Sequence, residues 1–319
     1  MQTRPLGTTG LSIAPLVFGG NVFGWTADEA TSFRLLDAFL DAGFNAIDTA
    51  DAYQTWVPGH AGGESETVIG KWLKTSPAKR DKALIFTKVG MPMGGDDPDK
   101  KGLSKRWIVE EVENSLRRLQ TDVIDLYQSH RPDDATPHEE TLAAYDALIK
   151  AGKVRAVGAS NYDADQLGDA LAVAAENGLP RYQTLQPLYN LCERDAFDGP
   201  LADLCVRESI GVIPYFALAS GFLTGKYRSE ADLAKSARGE GVKKYLDAKG
   251  LGILAALDAV AARHDATPAE VALAWMMARP GVTAPIASAS SLDQLASLVK
   301  AAELALSDDD MAQLNTASG

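Results

Sequence analysis

Short apolar runs and longer segments of helical period take turns along the whole chain. The runs are Leu16–Gly20, Phe44–Ile47, Ala83–Lys88, Asp122–Tyr127, Val154–Gly158, Tyr182–Leu185, Gly211–Pro214 and Val282–Ile286. Each is too short for a helix and nearly continuous in apolar residues, which is how a strand buried on both faces reads. Between them, Asp28–Ala42 sets Ala30, Phe33, Leu36, Phe39 and Leu40 at helical spacing until Gly43 stops it. Ser104–Leu119 does the same with Ile108, Val112 and Leu116. Further helices are expected over Ser65–Leu73, from Leu201, over Leu251–His264, and from Ser307. Four helix starts carry their own punctuation: Thr136-Pro137-His138-Glu139, Asp163-Ala164-Asp165-Gln166, Thr267-Pro268-Ala269-Glu270 and Ser291-Leu292-Asp293-Gln294. In each, a hydroxyl or carboxylate can cap the helix, with Glu or Gln three residues on. Gly7-Thr8-Thr9-Gly10 marks a hairpin within Thr3–Leu16. Two polar loops remain, Gly94–Gly102 and 217–249. The second is long enough to suggest a functional role.

Eight strands alternating with helices demand a parallel sheet covered by helices. The expected architecture is an α/β chain closed into a (β/α)8 TIM barrel, with an N-terminal hairpin and C-terminal helices, as one domain over residues 1–319. A doubly wound open sheet is the alternative. Against it, no Gly-x-Gly-x-x-Gly comes after the first strand, and Gly19-Gly20 is not that fingerprint.

The 319 residues are 46% hydrophobic and 23% charged, an ordinary globular balance that affords a sizeable core. A net charge of -12 argues against nucleic acid or an anionic membrane as partner. Cys192 and Cys205 are the only cysteines, with no metal-ligand spacing, and suit a reduced compartment. No apolar run reaches membrane-spanning length, and Met1–Leu6 has no signal-peptide core. A soluble, cytoplasmic protein is therefore expected, with its oligomeric state unreadable.

In a (β/α)8 barrel the site lies at the carboxyl ends of the strands. The polar residues at or just past those ends are Asp48, with Tyr53 in its loop, then Lys88, His130, Ser160 with Asn161, Gln186 and Tyr215. Singly these read as helix signals, a snorkelling lysine or a structural histidine. Together they crowd one barrel mouth. A phenol near an ammonium, itself held by a carboxylate, can pass a proton to a developing alkoxide, and the imidazole can hydrogen-bond the substrate oxygen. The ammonium is expected to lower the phenol's pKa. With neither a metal-ligand set nor a nucleophile–base pair in the sequence, an organic hydride donor fits. Tyr215 can stack on a flat ring, and Ser160, Asn161 and Gln186 can bind a carboxamide.

The chain resembles the aldo-keto reductase family over nearly its whole length. The matching segments are Gly43–Tyr53, Phe86–Gly90, Asp125–Asp133, Val157–Tyr162, Leu185–Asn190 and Gly221–Tyr227. The resemblance implies carbonyl reduction with NADPH and a catalytic tetrad of Asp48, Tyr53, Lys88 and His130, with Tyr53 as general acid. It places the nicotinamide carboxamide at Ser160, Asn161 and Gln186, the ring on Tyr215, and the pyrophosphate along Ala217–Lys226. The cofactor positions it implies also include Gly20, Asn21, Leu218, Gly221, Leu223, Lys226, Arg238, Ser288, Ser290 and Gln294. Trp25, Tyr53, Trp56 and His130 would meet the substrate, with Asn21 and Phe23 at the pocket base.

One stretch departs from the family pattern. After the eighth strand Ser288 stands for the usual glycine, Ser291 for a basic residue, and Leu298 for an asparagine. A 2′-phosphate without its cation loses a charge-assisted contact of about 1.5–3 kcal/mol. NADP(H) is expected narrowly over NAD(H), with Lys226 and Arg238 compensating. Two rivals remain: an aldolase-like barrel using Lys88 as a Schiff base, and a non-enzymatic binding protein like the channel β-subunits of this fold.

Overall fold

The computed structural model describes residues 1–93, 95, 97–236 and 239–319. Gly94 and Arg238, both named above, lie outside the described residues.

The chain opens with an antiparallel hairpin, β1 (Arg4–Pro5) on β2 (Ser12–Ile13). Gly7 holds its turn at φ +54 against the backbone of Gln183 and Gly211, where a Cβ would come within 2.5 Å of both. The hairpin thus covers the amino-terminal end of the barrel. Arg4 fastens it, donating from Nη1 to Met277 O at 2.9 Å.

Eight parallel strands come next: β3 (Val17–Gly19), β4 (Ala46–Asp48), β5 (Leu84–Val89), β6 (Ile124–Ser129), β7 (Val154–Ser160), β8 (Thr184–Gln186), β9 (Gly211–Val212) and β10 (Ile286–Ala287). Neighbours in sequence are neighbours in the sheet, and β10 returns to pair with β3, Ile286 opposite Val17. The segment before β10 closes the ring. Thr283 N donates to Val212 O at 2.8 Å and Ile286 N to Pro214 O at 2.8 Å. The expected strand over Val282–Ile286 therefore exists in two parts, a bridge at Val282 to Val212 and β10 itself.

Alternate residues fill the barrel in layers. Ala46, Phe86, Leu126 and Ala156 share one apolar core with Leu6, Ile13 and Val17. Two residues further along the strands, the inward positions are Asp48, Lys88, Gln128 and Gly158; the last three are in register across β5 to β7, while Asp48 pairs with Phe86. The floor of the site is thus a polar layer set on an apolar one.

Outside run α1 (Glu29–Asp41), α2 (Glu64–Lys74), α3 (Pro77–Lys82), α4 (Lys105–Leu119), α5 (His138–Lys150), α6 (Ala164–Asn177), α7 (Pro200–Arg207), α8 (Ala248–His264), α9 (Pro268–Ala278), α10 (Leu292–Glu303) and α11 (Asp308–Ser318). Capping boxes form at Asp163/Gln166, Thr267/Glu270 and Ser307/Asp310. Ser291 caps α10 by accepting from Gln294 N. Thr136 does not cap α5: its hydroxyl donates to Asp133 Oδ2 at 2.7 Å, and Pro137 takes the N-cap position without a side-chain bond. The 217–249 segment contains three 3-10 turns, Ala219–Thr224, Glu230–Lys235 and Glu240–Tyr245, anchored by buried Phe222, Leu223, Tyr227 and Val242. The helix expected from Leu251 starts earlier, at Ala248, because Asp247 caps it. Among the described residues no helix is long and apolar enough to cross a membrane.

Candidate active site

The tetrad converges at the carboxyl end of the ring. Lys88, inside β5 rather than past it, is fully buried and gives its three ammonium hydrogens to Asp48 Oδ2 (2.6 Å), Thr49 O (2.8 Å) and Tyr53 OH (2.9 Å). The Tyr53 hydroxyl accepts from Lys88 and donates to Asp48 Oδ2 at 3.2 Å. His130 sits directly after β6, and its ring centroid stands 6.1 Å from that of Tyr53. Its backbone N–H donates to Val89 O at 2.8 Å, which fixes the turn that carries it.

The electrostatics correct one expectation. The Tyr53 phenol is held well above its ordinary pKa of 10.0, first by burial and then by the adjacent Asp48 carboxylate. Proximity to Lys88 does not lower it, because both partners are enclosed and the carboxylate is equally near. Tyr53 therefore carries its proton at neutral pH. Burial also pulls Lys88 below the ordinary lysine value, against the upward pull of Asp48. Burial and the charges of Lys88 and Arg131 push His130 well below 6.5, so its imidazole is neutral. Its Nδ1 is enclosed and unpartnered.

Asp48 is held from a second side. Gln186 Nε2 donates to its Oδ1 at 2.9 Å, and Gln128 Nε2 approaches the same oxygen at 3.4 Å. Gln128 is the first residue past the expected strand end at Tyr127, and sequence reasoning passes over it for His130; β6 in fact runs on to Ser129, and inward parity with Leu126 is the signal that points to Gln128. Gly158 leaves room for it, since a Cβ there would lie 3.3 Å from Gln128 Cγ and 2.0 Å from Thr184 Oγ1.

The residues expected at the nicotinamide lie side by side at the next strand ends. Ser160 is enclosed and donates to Gln186 O at 2.8 Å. Asn161, in the left-handed region at φ 62, is exposed. It donates to His130 O at 2.9 Å and accepts from Tyr215 OH at 2.7 Å. Tyr215 is half-buried, and its ring lies 5.1 Å from that of exposed Phe216. A hydroxyl, an amide and an aromatic face thus sit together beside Tyr53, a donor set that fits a flat ring bearing a carboxamide.

Further along the mouth, Ser288 donates to Asn21 Oδ1 at 2.7 Å. Gly20 is buried against Asp48 O and Ser65 Oγ, each 2.9 Å from where a Cβ would stand. Ser290 is tied through its N–H to Gln294 Oε1 at 2.9 Å. Gly221 takes φ +95 in the loop after β9, with half-buried Leu218 before it. Leu223 is wholly buried. Lys226 is exposed, its Nζ 5.0 Å from the centroid of the Tyr227 ring. Leu298 is buried in the core between helices and strands.

A cavity of about 820 Å³ opens above Tyr53 and His130. Trp56, 49% exposed, lines it, with Ala52, Met91 and Pro92 as further apolar wall. Trp25 packs edge-on against Trp56 with centroids 5.9 Å apart. Phe23 is not at the pocket base: it is fully buried and stacks on Phe18 at 5.3 Å. Thr55 and His60 also line the cavity and are not singled out by the sequence, since their loop has no periodicity to mark them.

With this geometry in place, comparison with known proteins is decisive. The chain matches the model of the Aldo/keto reductase family over residues 15–318. It belongs to the aldo-keto reductase family. It is 35% identical over 319 residues to an uncharacterized oxidoreductase of Bacillus subtilis, spanning 99% of this chain and 95% of that one. It is 34% identical over 330 residues to an aldo-keto reductase, YhdN, of the same organism, spanning 99% and 93%. It is also 32% identical over 310 residues to a probable voltage-gated potassium channel subunit beta of Oryza sativa, spanning 95% and 92%. The (β/α)8 barrel expected from the eight-fold alternation is the observed fold.

Proposed function

We propose that the protein reduces an aldehyde or ketone to an alcohol with a nicotinamide cofactor, Tyr53 serving as general acid. The observation that carries this reading is the triple contact of Lys88 with Asp48, Thr49 and Tyr53 at the floor of an open cavity. NADPH, when bound, supplies the hydride. The side chains do the rest. The neutral His130 imidazole hydrogen-bonds the carbonyl oxygen and orients it. Tyr53 turns its hydrogen from Asp48 toward that oxygen and donates it as negative charge develops. The tyrosinate left behind stays 2.9 Å from the Lys88 ammonium, which stabilises it in a water-poor setting. Asp48, braced by Gln186, keeps Lys88 in place. Asn161, with Ser160 and Gln186, holds the carboxamide, and Tyr215 covers the ring.

NADPH is preferred narrowly to NADH in this reading. Ser291 brings no charge and its oxygen caps α10, so the described cations left to meet a 2′-phosphate are Lys226 on the long loop and Arg34, which lines a cavity with Ser290 and Ser291. Similarity to a channel subunit keeps a binding role as the second reading. A panel of carbonyl compounds with NADPH and with NADH, monitored by loss of nicotinamide absorbance, tests the proposal. Turnover of at least one carbonyl, faster with NADPH, is expected. No turnover with either cofactor refutes the enzymatic reading, and a clear NADH advantage refutes the preference.

A further inference from the structure

The cavity above Tyr53 has two polar regions of different kinds. One is the tetrad end, where Tyr53 and His130 face it. The other is His60, near the end of the same loop, with Thr55 between them in sequence. The backbone fixes His60: Val57 N donates to Gln54 O at 2.9 Å, and His60 N to Val57 O at 3.0 Å. Its ring, by contrast, makes no hydrogen bond, ion pair or ring contact among the described residues, and its Nδ1 is enclosed without a partner. Because Nδ1 is closed off, Nε2 is the ring nitrogen left for a group bound in the cavity that His60 lines. In its enclosed, unpartnered Nδ1 His60 is like His130 of the tetrad and differs from Asn161 and Gln186, which are engaged with the protein.

The remaining wall is apolar: Ala52, Trp56, Ala61, Met91 and Pro92. No lysine or arginine lines the cavity among the described residues. About 820 Å³ is also more than a small aldehyde fills, since pockets of about 300–1,000 Å³ hold drug-sized ligands. A substrate matched to these walls is neutral and flat or aliphatic, with its carbonyl at Tyr53 and one further hydrogen-bonding group remote from the carbonyl.

We infer that His60 is a specificity-determining residue, which selects carbonyl compounds bearing a second neutral polar group, such as a hydroxyl, by hydrogen-bonding that group. This rests on the carbonyl-reductase reading above and adds the substrate class. A matched pair separates the two: 4-(hydroxymethyl)benzaldehyde and 4-ethylbenzaldehyde have the same shape and differ in one hydroxyl. kcat and KM are measured for both with the unaltered protein, His60→Ala and His60→Gln. Binding of each aldehyde is also measured by quenching of tryptophan fluorescence, which needs no turnover.

A neutral hydrogen bond of this kind changes affinity by about 3- to 10-fold. The unaltered protein is expected to favour the hydroxymethyl compound by that factor, chiefly through KM and the binding constant. His60→Ala should abolish the preference, and His60→Gln, which keeps a donor and an acceptor, should restore part of it. The same hydroxymethyl-to-ethyl ratio in all three proteins, by turnover or by binding, overturns the inference while leaving the reductase reading intact. Binding with the expected ratio but no reduction of either aldehyde would overturn the reductase reading and keep the role of His60.

Discussion

Lys88 places every ammonium hydrogen on a protein oxygen, two of them within the tetrad. A buried ion pair of this sort is weak as a source of stability, but removing one partner strands the other charge, at about 3–5 kcal/mol. The neighbouring Asp51 shows the opposite solution. It is fully buried three residues after Asp48; its Oδ1 accepts from Ala52 N at 2.6 Å, and its Oδ2 has no partner. Burial, then Glu111 and Glu66, raise its pKa well above 3.8, against the nearby Arg118. The folded state therefore keeps a proton that the unfolded chain releases. Asp51 contributes stability that is full below 3.8 and is lost as pH rises toward its folded value. Asp51→Asn keeps a neutral group of the same shape and should remove that decline. Urea midpoints of the two proteins from acid to neutral pH check this: the variant's advantage should grow with pH, and parallel curves would contradict it.

At the scale of elements, the α2–α4 contact brackets the loop that carries Tyr53. Arg118 of α4 bridges Glu66 of α2 at 2.6 Å and Glu111 of its own helix at 2.5 Å. The two helices approach closely because Gly70 lacks a side chain; a Cβ there would stand 2.0 Å from Arg118 O. Gly70→Ala should cost about 1–3 kcal/mol by forcing the helices apart. Gly252, in α8 with nothing within 4 Å of a Cβ, is the control. There Gly→Ala should add about 0.5–1 kcal/mol of stability. Chemical denaturation of both variants compares them, and equal effects would mean the close approach is unimportant. The pattern of apolar runs announces every barrel strand, since each is buried on both faces. It does not announce α3, six residues with no buried position and only Pro77 as a signal. It misassigns the cap of α5, because Asp133 competes for the Thr136 hydroxyl from outside the local window.

At the scale of the whole molecule, ring closure makes distant residues into one site. Asp48, Lys88, Gln128 and Gln186 come from four strands and meet because the barrel keeps inward parity across them. Lys88 ends its apolar run and is read from it, whereas the run of β6 stops at Tyr127, one residue before its register partner Gln128, which is therefore overlooked. The electrostatic balance is not legible. The sequence sets a lysine beside a tyrosine, but whether the pair is enclosed, and how near Asp48 lies, depends on the closed fold; enclosure leaves Tyr53 a stronger holder of its proton than a free phenol. His60 is invisible for another reason: its importance comes from facing a cavity, and cavities have no period.

The assignment of function depends on the Tyr53 hydroxyl being the proton donor. The direct test is Tyr53→Phe, which keeps the ring and deletes the oxygen that Lys88 and Asp48 contact. Reduction of the best carbonyl substrate should fall by about 10²–10⁴-fold, while the dissociation constant for NADPH, measured by fluorescence titration, stays within a few-fold of the parent. Turnover at the parent rate with cofactor bound would contradict the assignment.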